Sequence, residues 1–126
     1  MKDLLIILSI LLLSSPVIGD NHKGETLYRW GKDPDYKWMG FGEKETQPIY
    51  QGDVKNGKPD GLGLLIYPNW TRYVGSWVNG KENEGTQTFP NGNKLVGEWE
   101  KGLLWNGTLY HKEGNIKYKF VNGELQ

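Results

Sequence analysis

The side chains able to do chemistry in this chain are few, and their spacing argues against most of it. Glu98 and Glu100 form a carboxylate pair, as do Glu82 and Glu84. Paired carboxylates serve acid and base roles when they flank a cleft, as in glycoside hydrolysis. Here each pair alternates within one short stretch, so both members point to the same side of a strand, where surface carboxylates are commonplace. His22 and His111 are the only histidines and stand far apart, with no acidic residue at metal-ligand spacing, so a zinc site or a histidine base is not expected. Gly61-Leu62-Gly63 lacks the helix that a phosphate loop requires. With no cysteine, neither disulfides nor thiolate metal sites are available. No enzyme, cofactor or metal is expected.

Aromatic side chains and glycines, in contrast, recur with a period. The stretch from Tyr73 to Lys81 carries Tyr73, Gly75 and Trp77, then Asn79-Gly80. Tyr50, Gly52 and Val54 with Asn56-Gly57 precede it by 23 residues; Leu95, Gly97 and Trp99 with Lys101-Gly102 follow by 22; Tyr118 and Phe120 with Asn122-Gly123 follow by 23 more. A fixed period of this size marks an array whose units bury their apolar faces against one another.

The elements that carry these residues read as strands. Asn56-Gly57, Asn79-Gly80, Asn91-Gly92 and Asn122-Gly123 tolerate the positive φ angles of tight hairpin turns. Alternation puts Tyr73, Gly75 and Trp77 on one face and Val74, Ser76 and Val78 on the other. Glycine weakens a strand, so its recurrence implies that something packs close to the backbone, and an aromatic ring of an adjoining strand is the expected neighbour. Tyr67 follows Gly63 by four residues, and Phe89 follows Gly85 by four. Rings over glycines, stacked repeat on repeat, predict a continuous aromatic spine, with His111 filling one slot.

This pattern, Tyr-x-Gly-x-Trp, then Asn-Gly-Lys, then Gly-x-Gly, an aromatic and Pro-Asn-Gly, resembles the MORN (membrane occupation and recognition nexus) repeat. Residues 73–94 match most closely, with copies at about 50–72 and 95–117 and a partial copy at 118–126. The resemblance implies an all-β fold of tandem antiparallel hairpins in a single elongated twisted sheet or trough. It also implies a non-catalytic role in holding proteins together or against membranes. The repeat-motif residues are then Tyr50, Gly52, Gly57, Gly61, Gly63, Tyr67, Tyr73, Gly75, Trp77, Gly80, Gly85, Phe89, Gly92, Gly97, Trp99, Gly102, Gly107, Tyr118 and Gly123. Departures fall at Val54 in place of Trp, Trp70 in place of Gly, Leu95 in place of Tyr, and His111 in place of an aromatic ring.

Outside the array, residues 20–47 are irregular but too aromatic for a linker. Leu27 to Trp30 and Tyr36 to Met39 read as a hairpin that caps the first end. Residues 1–19, with Lys2, the apolar run Leu4 to Leu13 and Pro16 before Gly19, read as a signal peptide helix that is removed, making the protein exported, periplasmic or secreted.

Charge is balanced: without Lys2 and Asp3 the 15 basic and 15 acidic side chains fall to 14 of each. Nothing global then draws the protein to nucleic acid. A protein partner, bound by the aromatic trough or by strand addition at a sheet edge, is the leading expectation, with Trp77, Trp99 and Trp105 as its surface. Membrane lipid is the alternative, with Lys55, Lys58, Lys81, Lys94, Lys101, Lys117 and Lys119 along a rim. An envelope glycan is the third, although the aromatic doublets of wall-binding repeats are absent. Asn69-Trp70-Thr71 and Asn106-Gly107-Thr108 are glycosylation sequons if the host is eukaryotic.

Overall fold

A computed structural model describes residues 24–32 and 34–126. The expected signal peptide helix at 1–19 and His22 lie outside the described residues. Within them the chain is all β: β1 (Glu25–Trp30), β2 (Lys37–Met39), β3 (Ile49–Lys55), β4 (Lys58–Ile66), β5 (Arg72–Val78), β6 (Lys81–Thr88), β7 (Lys94–Glu100), β8 (Leu103–Tyr110), β9 (Ile116–Val121) and β10 (Glu124–Leu125). They form one open antiparallel sheet in the order β10-β9-β8-β7-β6-β5-β4-β3-β1-β2. From β3 onward the sheet is a simple meander. At its start β1 lies between β3 and β2, so the chain leaves the outer strand and loops back past β1 to begin the array. The stretch expected as a capping hairpin pairs as one, with Arg29 opposite Trp38.

Two kinds of turn alternate. At one end of the strands Asn56-Gly57, Asn79-Gly80, Lys101-Gly102 and Asn122-Gly123 each place both central residues at positive φ, between 51° and 87°. That is the two-residue turn whose twist suits adjoining antiparallel strands. At the other end the loops have five residues. Phe89 accepts from Gly92 N–H and donates to Asn93 O, and Tyr67 and His111 repeat both bonds in their own turns. Asn91-Gly92 was expected as a tight reversal and belongs to this second kind, with only Gly92 at positive φ. The fourth tight turn is Lys101-Gly102, where a lysine takes the left-handed position.

Register places like on like. Gly52, Gly63, Gly75, Gly85, Gly97 and Gly107 pair in succession, forming a row of six glycines across six neighbouring strands. Beside it runs Leu27, Tyr50, Leu65, Tyr73, Gln87, Leu95, Leu109 and Tyr118, again pair by pair. Both rows share one face. Only its first half is closed: Tyr50 and Leu65 are 0 % exposed, Tyr73 1 % and Trp77 2 %, and Leu27 completes the core. Leu95, Trp99 and Leu109 are half-buried, and Tyr118 is exposed.

Candidate functional site

The rings do form a spine, through edge-on contacts. Trp38 meets Tyr50 and Trp77 at 5.9 Å between centroids, Tyr50 meets Trp77 at 5.1 Å, and Tyr73 touches both Trp77 and Trp99 at 5.2 Å. The interplanar angles of 68–89° present ring edges to ring faces, the arrangement favoured by aromatic quadrupoles. Each tyrosine also reaches forward along its own hairpin. The Tyr50 hydroxyl donates to Asp53 O at 2.6 Å and the Tyr73 hydroxyl to Ser76 O at 3.0 Å. Trp77 Nε1–H donates to Gly63 O at 3.3 Å. Burial pushes the Tyr50 and Tyr73 hydroxyls far above their ordinary ionisation range, with Asp53 and Asp60 adding to it at Tyr50 and Glu82 at Tyr73.

The expected identity of the rings over the glycines is corrected in two respects. Tyr50 and Tyr73 lie over them, and Tyr67 and Phe89 do not: a Cβ on Gly63 would collide with the Tyr50 ring, and one on Gly85 would come 2.9 Å from Tyr73 Cζ. At Gly75, Gly85 and Gly97, moreover, the nearest obstacle is a carbonyl oxygen on the facing strand, with the paired glycine Cα close behind. Close approach of two backbones therefore requires the glycine row, and the ring uses the flat floor that results. His111 does not extend the spine. It holds the turn position of Tyr67 and Phe89, but its imidazole lies 3.5 Å from the Glu113 carboxylate, well exposed.

The residue after each row glycine in the first strand of a hairpin has a common task. Each hairpin loses register beyond that point because its second strand carries extra residues. Asp53 Oδ2 accepts from Leu62 N–H, Ser76 Oγ accepts from Glu84 N–H and donates to Glu84 O, and Glu98 Oε1 accepts from Asn106 Nδ2–H. At Glu98 the bond goes to a side chain rather than to the facing backbone. Glu84 stands directly opposite Glu98, an unfavourable pairing of like charges.

What closes the first half is the β1–β2 arm. Strands lie about 4.8 Å apart, so β2 and β5, four steps distant, would be separated by about 19 Å in a flat sheet. The Trp38–Trp77 contact therefore requires the sheet to curl over until the arm covers its own trough. Arg29, 7 % exposed, supplies the latch: its guanidinium stacks 4.0 Å over Tyr36 and 5.1 Å over Tyr67 and lies 3.8 Å from Glu82 on β6. Its Nε–H is buried without a hydrogen-bond partner among the described residues. Sequence reasoning placed Tyr36 and Trp38 in a cap but gave no signal that Arg29 or Glu82 mattered, because the two meet across more than fifty residues of chain.

Of the expected binding surface, Trp77 is core and unavailable to a partner. Trp99 is half-buried and Trp105 is 39 % exposed. These two, with Asn83, Glu84, Glu98 and Glu100, line an acidic hollow of about 310 Å³. A second hollow, of about 430 Å³, lies between Lys44, Glu45, Ile49, Ile66, Pro68 and Trp70. Trp70 was missed as an exposed side chain, although its departure from the repeat pattern was visible. It occupies the turn position that Gly92 and Gly114 hold in the next two repeats, at φ 74°, with its indole 72 % exposed. Among the described residues no group of three histidine, cysteine or acidic side chains is placed to hold a metal.

Comparison with known proteins agrees with the register. The family model for the MORN repeat matches residues 50–72 and 73–94, so the chain carries two MORN repeats there. Such repeats are associated with scaffolding and with membrane or protein interaction in general, and are generally not catalytic. No curated protein matches the chain.

Proposed function

We propose that the two MORN repeats and the hairpins around them form a non-catalytic scaffold that holds a protein partner in the open half of its trough, working as an exported protein after loss of residues 1–19. One observation carries the reading. Leu95 stands where Tyr50 and Tyr73 stand in the earlier repeats, so Gly97, Gly107, Trp99 and Leu109 form a half-exposed apolar floor. Apolar surface of this kind is favourably covered by a partner. The test compares capture from the exported fraction by the wild type, by Leu109→Arg in the trough and by Thr108→Arg on the other face. A partner lost with the first variant and kept with the second is expected. A partner kept by both would place binding elsewhere, and the mass of the purified protein would report the cleavage.

A second reading, a membrane-surface module, is favoured by Trp70 and Phe41, 72 % and 60 % exposed, on loops at the same end of the sheet, with Lys44 and Glu45 lining the hollow beside Trp70. Indoles prefer the lipid–water interface. Sedimentation with anionic and neutral vesicles tests it: binding to anionic vesicles that Trp70→Ala abolishes supports it, and binding to neither rules it out.

A further inference from the structure

We propose that the face of the sheet turned away from the trough, over β4 to β8, docks on the same face of a second copy of this chain. This goes beyond the scaffold reading, which concerns the trough. The side chains of the outer face fall into three rows that cross the strands. The middle row is Leu64, Val74, Thr86, Val96 and Thr108, paired strand by strand and apolar apart from two threonine hydroxyls. On one side of it, the row Ile66, Arg72, Thr88, Lys94 and Tyr110 carries two cations. On the other side Glu84 stands opposite Glu98, next to Ser76. All four charged side chains are exposed, and Val74 and Val96 between them are half-buried.

Lys94 and Glu98 lie about 13 Å apart along β7. Neither Arg72 nor Lys94 forms an ion pair among the described residues, and the repulsion of Glu84 against Glu98 is left uncompensated. One face thus presents a basic, an apolar and an acidic row in that order, which is its own complement. A two-fold axis along the apolar row, midway between two copies, reverses the strand direction and keeps each strand over its counterpart. The apolar rows then meet. Lys94 of one copy comes over Glu98 of the other, and Arg72 comes over Ser76 with Glu84 on the neighbouring strand. An isologous contact requires a patch to match itself, a condition that the order of these rows meets and that selects a second copy as the occupant. Sheets packed in this way lie about 10 Å apart with strands within about 30° of each other. Five strands of about seven residues cover about 24 Å by 23 Å. Two copies together then bury on the order of 1,100 Å², just past the ~1,000 Å² of a specific interface. A weak, charge-steered dimer is the expected product.

Sedimentation equilibrium of the purified protein over a concentration series reads the dimer. The wild type is expected to associate, about tenfold more weakly in about 0.5 M than in about 0.05 M salt. Two double variants test the pairing: Arg72→Glu/Lys94→Glu makes both charged rows acidic, and Glu84→Lys/Glu98→Lys makes both basic. Each alone is expected to stay monomeric, and an equimolar mixture to form a heterodimer about as tight as the wild-type dimer. Leu109→Arg, in the trough, should leave the dimer intact, so failure of this inference and failure of the scaffold reading are separate results. A nitroxide fixes the geometry without altering the charged rows, because the chain has no cysteine and Val78 is exposed. On unlabelled Val78→Cys it should broaden the amides of residues 69–72 in an isotope-labelled copy, since the axis brings opposite ends of β5 together. Urea unfolding verifies that the double variants fold, and the nitroxide result decides if either does not. A wild type that stays monomeric at every concentration would overturn the inference. So would dimers that the double variants retain or that Leu109→Arg abolishes, a mixture that stays monomeric, or broadening at residues 76–80 instead of 69–72.

Discussion

The first two repeats and the third share a backbone design and differ in what lies on it. From Tyr50 to Lys94 the trough is filled: two tyrosines cross the glycine row, Trp77 lies between them, and the arm seals them from water. From Leu95 onward the row continues through Gly97 and Gly107, but its ring is replaced by a leucine and the floor is half-exposed. The glycines thus belong to the sheet, which needs two backbones to approach closely, whereas the rings belong to the occupant. An array can keep its shape while leaving part of its trough for something else.

The contrast is broken most forcefully at its two tryptophans. Trp77→Ala should cost about 4 kcal/mol, within the usual range for losing a fully buried large aromatic. Trp99→Ala, half-open, should cost less than half as much. Urea unfolding of the two variants checks this, and equal losses would mean that the trough is packed alike along its length. The next effect is at the latch. Glu82→Ala leaves the Arg29 guanidinium buried without its carboxylate and should destabilise by about 3 kcal/mol, the range for breaking a buried pair. Amide exchange should speed up in β1 and β2 and remain unchanged in β7 and β8.

How much of this could be read from the chain divides along the same line. The tyrosines, glycines and Asn-Gly turns repeat locally, so hairpins, facing and period were legible. Lys101-Gly102 was legible as a turn only from its place in the period, because lysine has no preference for positive φ. The closure of the first half was illegible for a different reason: it depends on Arg29 and Trp38 reaching β5 and β6 over long sequence distances, and curl of the sheet leaves no periodic trace. Trp70 lay between these cases. Its place in a glycine position was visible, but only the φ of 74° identifies it as a side chain held out at a conformational cost.

Smaller effects sharpen the comparison. Tyr50 and Tyr73 ionise less readily folded than unfolded, because burial disfavours the phenolate. Their folded values lie above the unfolded value of about 10, so the stability they contribute is complete below pH 10 and is lost as pH rises above it. The slope should approach about 1.4 kcal/mol per pH unit for each tyrosine. Denaturant titrations between pH 9 and 11.5 should show this fall, reduced in Tyr73→Phe, with Tyr50 and Tyr67, whose hydroxyls burial also pushes up, carrying the remainder. Least in size, Trp70→Gly should stabilise by about 1 kcal/mol by relieving a left-handed conformation that costs a side chain roughly 1–2 kcal/mol. Gly92→Ala at the same turn position of the next repeat should destabilise by a similar amount, and thermal denaturation reads both.

The measurement that addresses the central claim most directly uses the chain's six tryptophans. With 5-fluorotryptophan in every position and each signal assigned by single substitution, the ¹⁹F shift between H₂O and D₂O reports solvent contact ring by ring. A trough closed at one half and open at the other predicts the largest shift at Trp70, a smaller one at Trp105, a measurable one at Trp99 and none at Trp77. Equal shifts at Trp77 and Trp99 would contradict it, because the two halves of the trough would then be covered or exposed alike.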